Sequence, residues 1–263
     1  MSANFFKPVV AAPIAGLVRN LNITVTGNTT ATIVCNNTSV RIGSDNNTIR
    51  TTGVISVTLN ASNVGLNGID AGSLAANTFY NVFAIFNGTT AGVIISTSSP
   101  PTLPSGYLWY TRIGYLKTDS SAQFIRTIQR GSKARIIIGG NPTNVIEMAS
   151  GNKGSGSITA PVYAALDTSA WCPPYTNIKS IDVMAYRKSG TTAMSYFVAP
   201  SSSYGGVGGA SPPPICLNNS TGTGLAQSGT IYFEGSNNIY LWTDAGAGAA
   251  VGILGWEDTA GGN

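Results

Sequence analysis

Short apolar runs rich in β-branched residues, each closed by a turn cluster, recur along nearly the whole of this chain. In LNITVTG, Leu21, Ile23 and Val25 fall two apart; residues 32–35, 40–42 and 54–59 form further runs, parted by GNTT, CNNTS and GSDNN. A spacing of two puts alternate side chains on opposite faces of an extended backbone, so each run reads as a strand. The Asn and Gly residues between runs supply the positive φ of tight turns. No stretch predicts a helix longer than a turn or two, residues 69–77 being the best short exception. The fold class expected is all-β, with two antiparallel β-sandwich (jelly-roll-like) units.

Residues 79–86, FYNVFAIF, predict a strand too apolar to be exposed on both faces, and Asn87-Gly88 closes it with a hairpin signal. Residues 93–96 return. Pro100, Pro101 and Pro104 then disfavour regular pairing, and Gly106 permits a sharp turn before strands at 107–116 and 123–129. The soft stretch SGNKGSGSITAP, residues 150–161, predicts a linker. Strands resume at 178–187, 193–198, 230–234, 239–243 and 250–256, with a Ser-, Gly- and Pro-rich loop over 201–214. The organisation expected is an extended N-terminal arm over 1–20, a first β-sandwich domain over 21–150 and a second over 151–263. Pro8 and Pro13 bar a regular helix in the apolar arm. Phe5, Phe6, Pro8 and Val9 are read either as an arm that docks on a neighbouring subunit or as an edge strand on their own domain.

Composition excludes more chemistry than it suggests. Only 9% of the 263 residues are charged and none is His, against ~25% charged in ordinary soluble domains. A Ser-His-Asp triad and most catalytic zinc sites are thereby ruled out. Glu257 and Asp258 are adjacent, so on a strand they face opposite ways and make a poor pair for glycoside cleavage. No catalytic residue, cofactor or metal site is expected, and the chain does not read as an enzyme. Asp70 and Asp119 sit among Gly, Ser and Thr and read as side chains bonding their own turns; calcium is the alternative, without EF-hand spacing.

The formal net charge is +4, and the densest basic group is Arg112, Lys117, Arg126, Arg130, Lys133 and Arg135. These read as solvated strand faces and turns; without interleaved aromatics, nucleic acid is not an expected partner. Cys35, Cys172 and Cys216 are too widely spaced for a zinc motif and too few for a closed disulfide framework, which suits free thiols and folding in a reducing cytoplasm. No apolar run approaches the ~20 residues of a membrane span. Trp109, Tyr175 and Tyr204 are the aromatic candidates for surface recognition of a sugar, Tyr204 first because its loop is glycine-rich; core or interface filling is the other reading.

Three quarters of the chain resembles a family of bacteriophage and prophage virion proteins found among tail-fibre and other structural genes. The resemblance rests on Gly68, Asp70, Gly72, Ser73, Leu74, Ala75, Thr78, Phe79 and Tyr80, then Ser98, Pro101, Leu103, Pro104, Gly106 and Tyr107, then Arg112, Ile113, Gly114, Thr118 and Asp119. A weaker second block is Cys172-Pro173-Pro174, Val198-Ala199-Pro200 and Gly255-Trp256-Glu257-Asp258. Where that family has Trp-Tyr-His, this chain has Phe79-Tyr80-Asn81. The resemblance implies a structural virion component, and it transfers no catalytic residue. The expectation is a tail fibre or fibre-attachment component that contributes to host attachment. It would be a homo-oligomer, a trimer, held by other virion proteins and meeting a host-surface glycan, located in the tail rather than on the capsid after folding in the host cytoplasm. A capsid decoration or cement protein and a glycan-binding or depolymerising module are the alternatives.

Overall fold

The computed structural model describes residues 18–36, 39–42, 49–188, 194–219, 226–244 and 248–260. The arm residues Phe5, Phe6, Pro8 and Val9 lie outside them. Its strands open with β1 Arg19–Val25, β2 Thr30–Asn36, β3 Ser39–Ile42, β4 Ile49–Thr51, β5 Ile55–Asn60, β6 Gly68–Ile69 and β7 Phe79–Phe86. They continue with β8 Ala91–Ser96, β9 Trp109–Lys117, β10 Thr127–Arg130, β11 Lys133–Ile136, β12 Ile146–Ser150, β13 Ser155–Gly156 and β14 Pro161–Val162. The last are β15 Ala164–Asp167, β16 Ile178–Arg187, β17 Met194–Ala199, β18 Ile215–Asn219, β19 Ala226–Tyr232, β20 Asn238–Thr243 and β21 Ala249–Asp258. Among the described residues the sole helical element is a single 3-10 turn, Tyr175–Asn177. Ile69 ends β6, and residues 70–77 are bends, turns and irregular chain rather than the short helix expected over 69–77; Asp70 and Tyr80 bind their backbone instead, as described below.

One long sheet organises the molecule. Its nine strands run β19-β16-β21-β11-β10-β1-β2-β5, with β12 beside β21. The half built on β10, β1, β2 and β5 faces a second sheet, β4-β3-β9-β7-β8-β6. Leu21, Ile23, Ile33, Val82, Val93 and Ile95 interleave between them in one core. The other half, β19, β16 and β21, faces a four-stranded sheet, β15-β20-β17-β18, over a second core that includes Ile181, Val183, Tyr196, Val198, Ile231 and Leu241. The pairing is antiparallel apart from the two-residue contact of β6 with β8, so the all-β sandwich architecture holds.

The long sheet is continuous across the expected domain boundary. β11 and β12 precede residue 151, yet both pair with the final strand β21. β16 occupies the opposite edge of β21 along its whole length. The stretch 150–161 does not act as a linker between separate bodies. It carries β13, and Ile158 packs on the outer face of the four-stranded sheet with Tyr163, Phe197 and Trp242. The loop after β17 lies over it so closely that a Cβ at Gly206 would overlap the Ile158 carbonyl. Glycine there permits the contact.

The outer face of β7 is covered as well, which explains why nearly every residue of FYNVFAIF is apolar. Phe83, Ile85 and Ile94 on that face are capped by Leu103 and Tyr107 from the proline-rich crossover.

Candidate functional site

Phe79, Arg112, Trp256 and Asp258 meet at the seam between the two sandwiches, whereas Leu103 and Tyr107 cover the outer face of β7. β7 and β9 pair from Phe79↔Lys117 to Phe86↔Trp109, and the register shifts between Val82 and Phe83, leaving Ile113 as an extra residue in β9. Such a bulge resets which side chains share a face. Arg112 and Tyr115, three apart, therefore lie on the same side, with Lys117 and Phe79. That side faces the second unit: Phe79 and Tyr115 pack against its core. Phe79 meets Trp256 edge-on at 6.0 Å and Tyr115 at 6.4 Å, a geometry in which ring edges meet the negative faces of their neighbours.

A buried ion pair sits beside these rings. Arg112 Nη1 donates to both carboxylate oxygens of Asp258 at 2.8 Å, and its guanidinium lies 4.6 Å over the Tyr115 ring. Asp258 is fully buried. Burial pushes its carboxyl above the ordinary aspartate value, against the opposing pull of Arg112 and the Ala260 backbone N–H. Its neighbour Glu257 turns the other way, to Lys179 at 3.2 Å, so the two carboxylates occupy opposite faces and different partners. Glu234 is exposed.

The inner face of β9 is fitted just as closely. A methyl group at Gly114 would overlap Gln129 Oε1 and lie 2.8 Å from Ile23 Cδ1, so the two sheets of the first sandwich approach there without room for a side chain. Gln129 is buried and held by Nε2 donating to the carbonyls of Ile113 and Gly131.

The two turn aspartates bind backbone. Asp70 accepts from the N–H of Ala71 and, across the crossover, from that of Thr102. Asp119 accepts from Ser121 and Gln123 through one oxygen and from the Asn141 side-chain amide through the other. Thr118 is buried, donates to the Ala75 carbonyl at 2.6 Å and accepts from the Thr78 N–H. Tyr80 Oη accepts from the Ala75 N–H. The segment GSLAANTFY is thus a turn clamped onto the end of β9.

Lys117 was expected on a solvated face, as was Arg112; neither is there. Lys117 is 6% exposed. Its ammonium donates to the Ala170 carbonyl at 2.7 Å, reaches the Asn77 carbonyl at 3.5 Å, and stands 4.3 Å over the Phe79 ring. Burial lowers its pKa, against an opposing pull from Cys172. No carboxylate among the described residues forms an ion pair with it. Beside it opens a cleft of about 330 Å³, lined by residues that include Asn77, Lys117, Asp119, Asn141, Ala170 and Trp171. Arg126, Arg130, Lys133 and Arg135 are exposed as expected.

The aromatic candidates are not gathered. Trp109 is half-buried against the first core, tilted on Phe86 at 6.1 Å with Arg50 over its ring. Tyr204 is half-buried on the outer face of the four-stranded sheet, in the cluster with Trp242. Tyr175 stands exposed on the 3-10 turn. Trp171, by contrast, lines the seam cleft. The sequence signal that could have found it is Cys172-Pro173-Pro174 next door.

Among the described residues no group of His, Cys, Asp and Glu has metal-ligating proximity, and no helix is long and apolar enough to cross a membrane. Compared with known proteins, the chain matches no family model and no curated protein.

Proposed function

We propose that this chain is a structural subunit of a bacteriophage particle, built into the tail as a fibre or fibre-attachment component that contributes to host attachment. The observation that carries the reading is the seam. Two sequence blocks separated by well over a hundred residues, the ones that resemble virion proteins, meet there as Arg112 with Asp258 and Phe79 with Trp256. Their work is to lock two sandwiches into one body, which is what a subunit transmitting force needs. The surface is poor in charge and rich in Thr, Asn, Ser and Gly, and such a surface packs beside copies of itself without desolvating many ions.

In this reading the assembly is a homo-oligomer, a trimer, held between other virion proteins. Native mass measurement of the purified chain is expected to give three copies. A stable monomer, together with antibody against the chain failing to label tails in purified particles, overturns the proposal. Labelling of capsid faces instead would mark a head decoration protein.

A further inference from the structure

The cleft beside Lys117 has the chemistry of a small polar ligand with one flat apolar face. Its volume, about 330 Å³, falls at the low end of small-molecule sites. Trp171, half-buried against the second core, lines it together with the apolar residues Ile125, Pro142 and Ile146. The polar groups of the lining offer both signs. The Lys117 ammonium gives one hydrogen to Ala170 at 2.7 Å and stands over the Phe79 ring, while its contact to Asn77 is long at 3.5 Å and is the one a ligand oxygen would replace. Asn141 spends both amide hydrogens, on Asp119 Oδ2 and the Phe124 carbonyl, which turns its Oδ1 into a fixed acceptor. Asp119 Oδ2 takes a single bond and keeps a lone pair. Ser120 stands exposed at the rim.

We infer that this seam cleft binds a single neutral pyranose, its apolar ring face against Trp171 and its hydroxyls bridging Lys117, Asp119 and Asn141. A hydroxyl accepts from the ammonium and donates to the carboxylate or amide oxygen, which only a group that is both donor and acceptor does at once. The lining carries one cation and one carboxylate, Lys117 and Asp119, so it has no net charge that would favour an acidic sugar over a neutral one. Aromatic faces stack on the C–H side of a sugar ring for the same reason they pack apolar surface elsewhere. The seam belongs to the isolated chain, so this binding and the virion location above can fail separately.

The test is a titration of the purified full chain with methyl glycosides of glucose, galactose, mannose and N-acetylglucosamine, with glucuronate alongside, followed by amide and indole NMR shifts. The expected result is saturable binding of at least one neutral glycoside with Kd of about 1 mM, with shifts centred on Ser120, Ala170 and the Trp171 indole. Lys117→Met is expected to weaken it roughly tenfold or more. Because Trp171 also packs on the core, the second variant is Ser120→Trp, which fills the mouth from an exposed turn; it is expected to abolish binding while leaving the rest of the spectrum in place. No saturable shift at these residues with any neutral glycoside, binding that survives Ser120→Trp, or tighter binding of glucuronate than of the neutral sugars overturns the inference.

Discussion

At Asp258 two large effects oppose each other. Removing a carboxylate from water costs several kcal/mol, and the guanidinium at 2.8 Å repays it only while both partners are present. Replacing one partner alone strands the other. Asp258→Ala is therefore expected to destabilise the fold by about 3–5 kcal/mol, read as a lower urea midpoint at unchanged slope. Arg112→Met with Asp258→Leu together is expected to cost much less than Asp258→Ala. A single-variant loss below about 1 kcal/mol would mean the pair behaves as an exposed one.

Lys117 gives the corresponding statement about pH. Its folded-state pKa is lowered from 10.5 by burial, so the unfolded chain binds the proton more tightly than the folded one. The stability contributed by this group is fully present above 10.5 and is lost as pH falls through the lowered folded value. Tyrosines such as Tyr163, pushed up to about 12 by burial, act in the opposite sense at high pH, so the useful quantity is a difference. Urea stability of wild type minus that of Lys117→Met is expected to rise with pH up to 10.5; a flat difference contradicts the buried-cation assignment.

Among the elements, β9 decides the most. Its inner face approaches Gln129 and Ile23 at Gly114 with no space for a Cβ. Gly114→Ala is expected to cost about 1–3 kcal/mol through overpacking, measured by thermal or urea unfolding, where an unchanged midpoint would show the sheets can separate. Its outer face is set by the bulge at Ile113. That bulge also marks the limit of what the sequence discloses. Period-two alternation locates β7, β16 and the hairpin turns closely, because their apolar faces and Asn-Gly signals are local. It cannot show that Arg112 and Tyr115 share a face, since one extra residue in a strand breaks the count. Nor can it show that Lys117 is buried, because what covers it is Ala170, more than fifty residues away. Short strands such as β11 and β12 are likewise silent: KARI and IEMAS have mixed burial and gain their identity only from β21. The roles of Asp70 and Asp119 as turn acceptors were legible, because those bonds are mostly made to neighbouring backbone.

For the whole molecule, the shared sheet matters more than either sandwich. Two cores with one hydrogen-bonded sheet between them have no hinge at the seam that opens without breaking β11–β21 pairing and the Arg112–Asp258 bond. Calorimetry is expected to show a single cooperative transition; two resolved transitions, each following the probes of one sandwich, would contradict this.

The position of β21 in the chain has a consequence for how the molecule is made. β21 touches β11, β12 and β16 on its two edges, yet a ribosome delivers it after all three. Until then the halves of the large sheet are joined by covalent chain alone, and the strand edges of β11 and β16 are open to any neighbouring nascent copy. β21 therefore inserts between partners made before it, a non-local step that chain topology makes slow. That interval is when these chains are most exposed to mispairing, and the time between the synthesis of β16 and that of β21 sets how long it lasts.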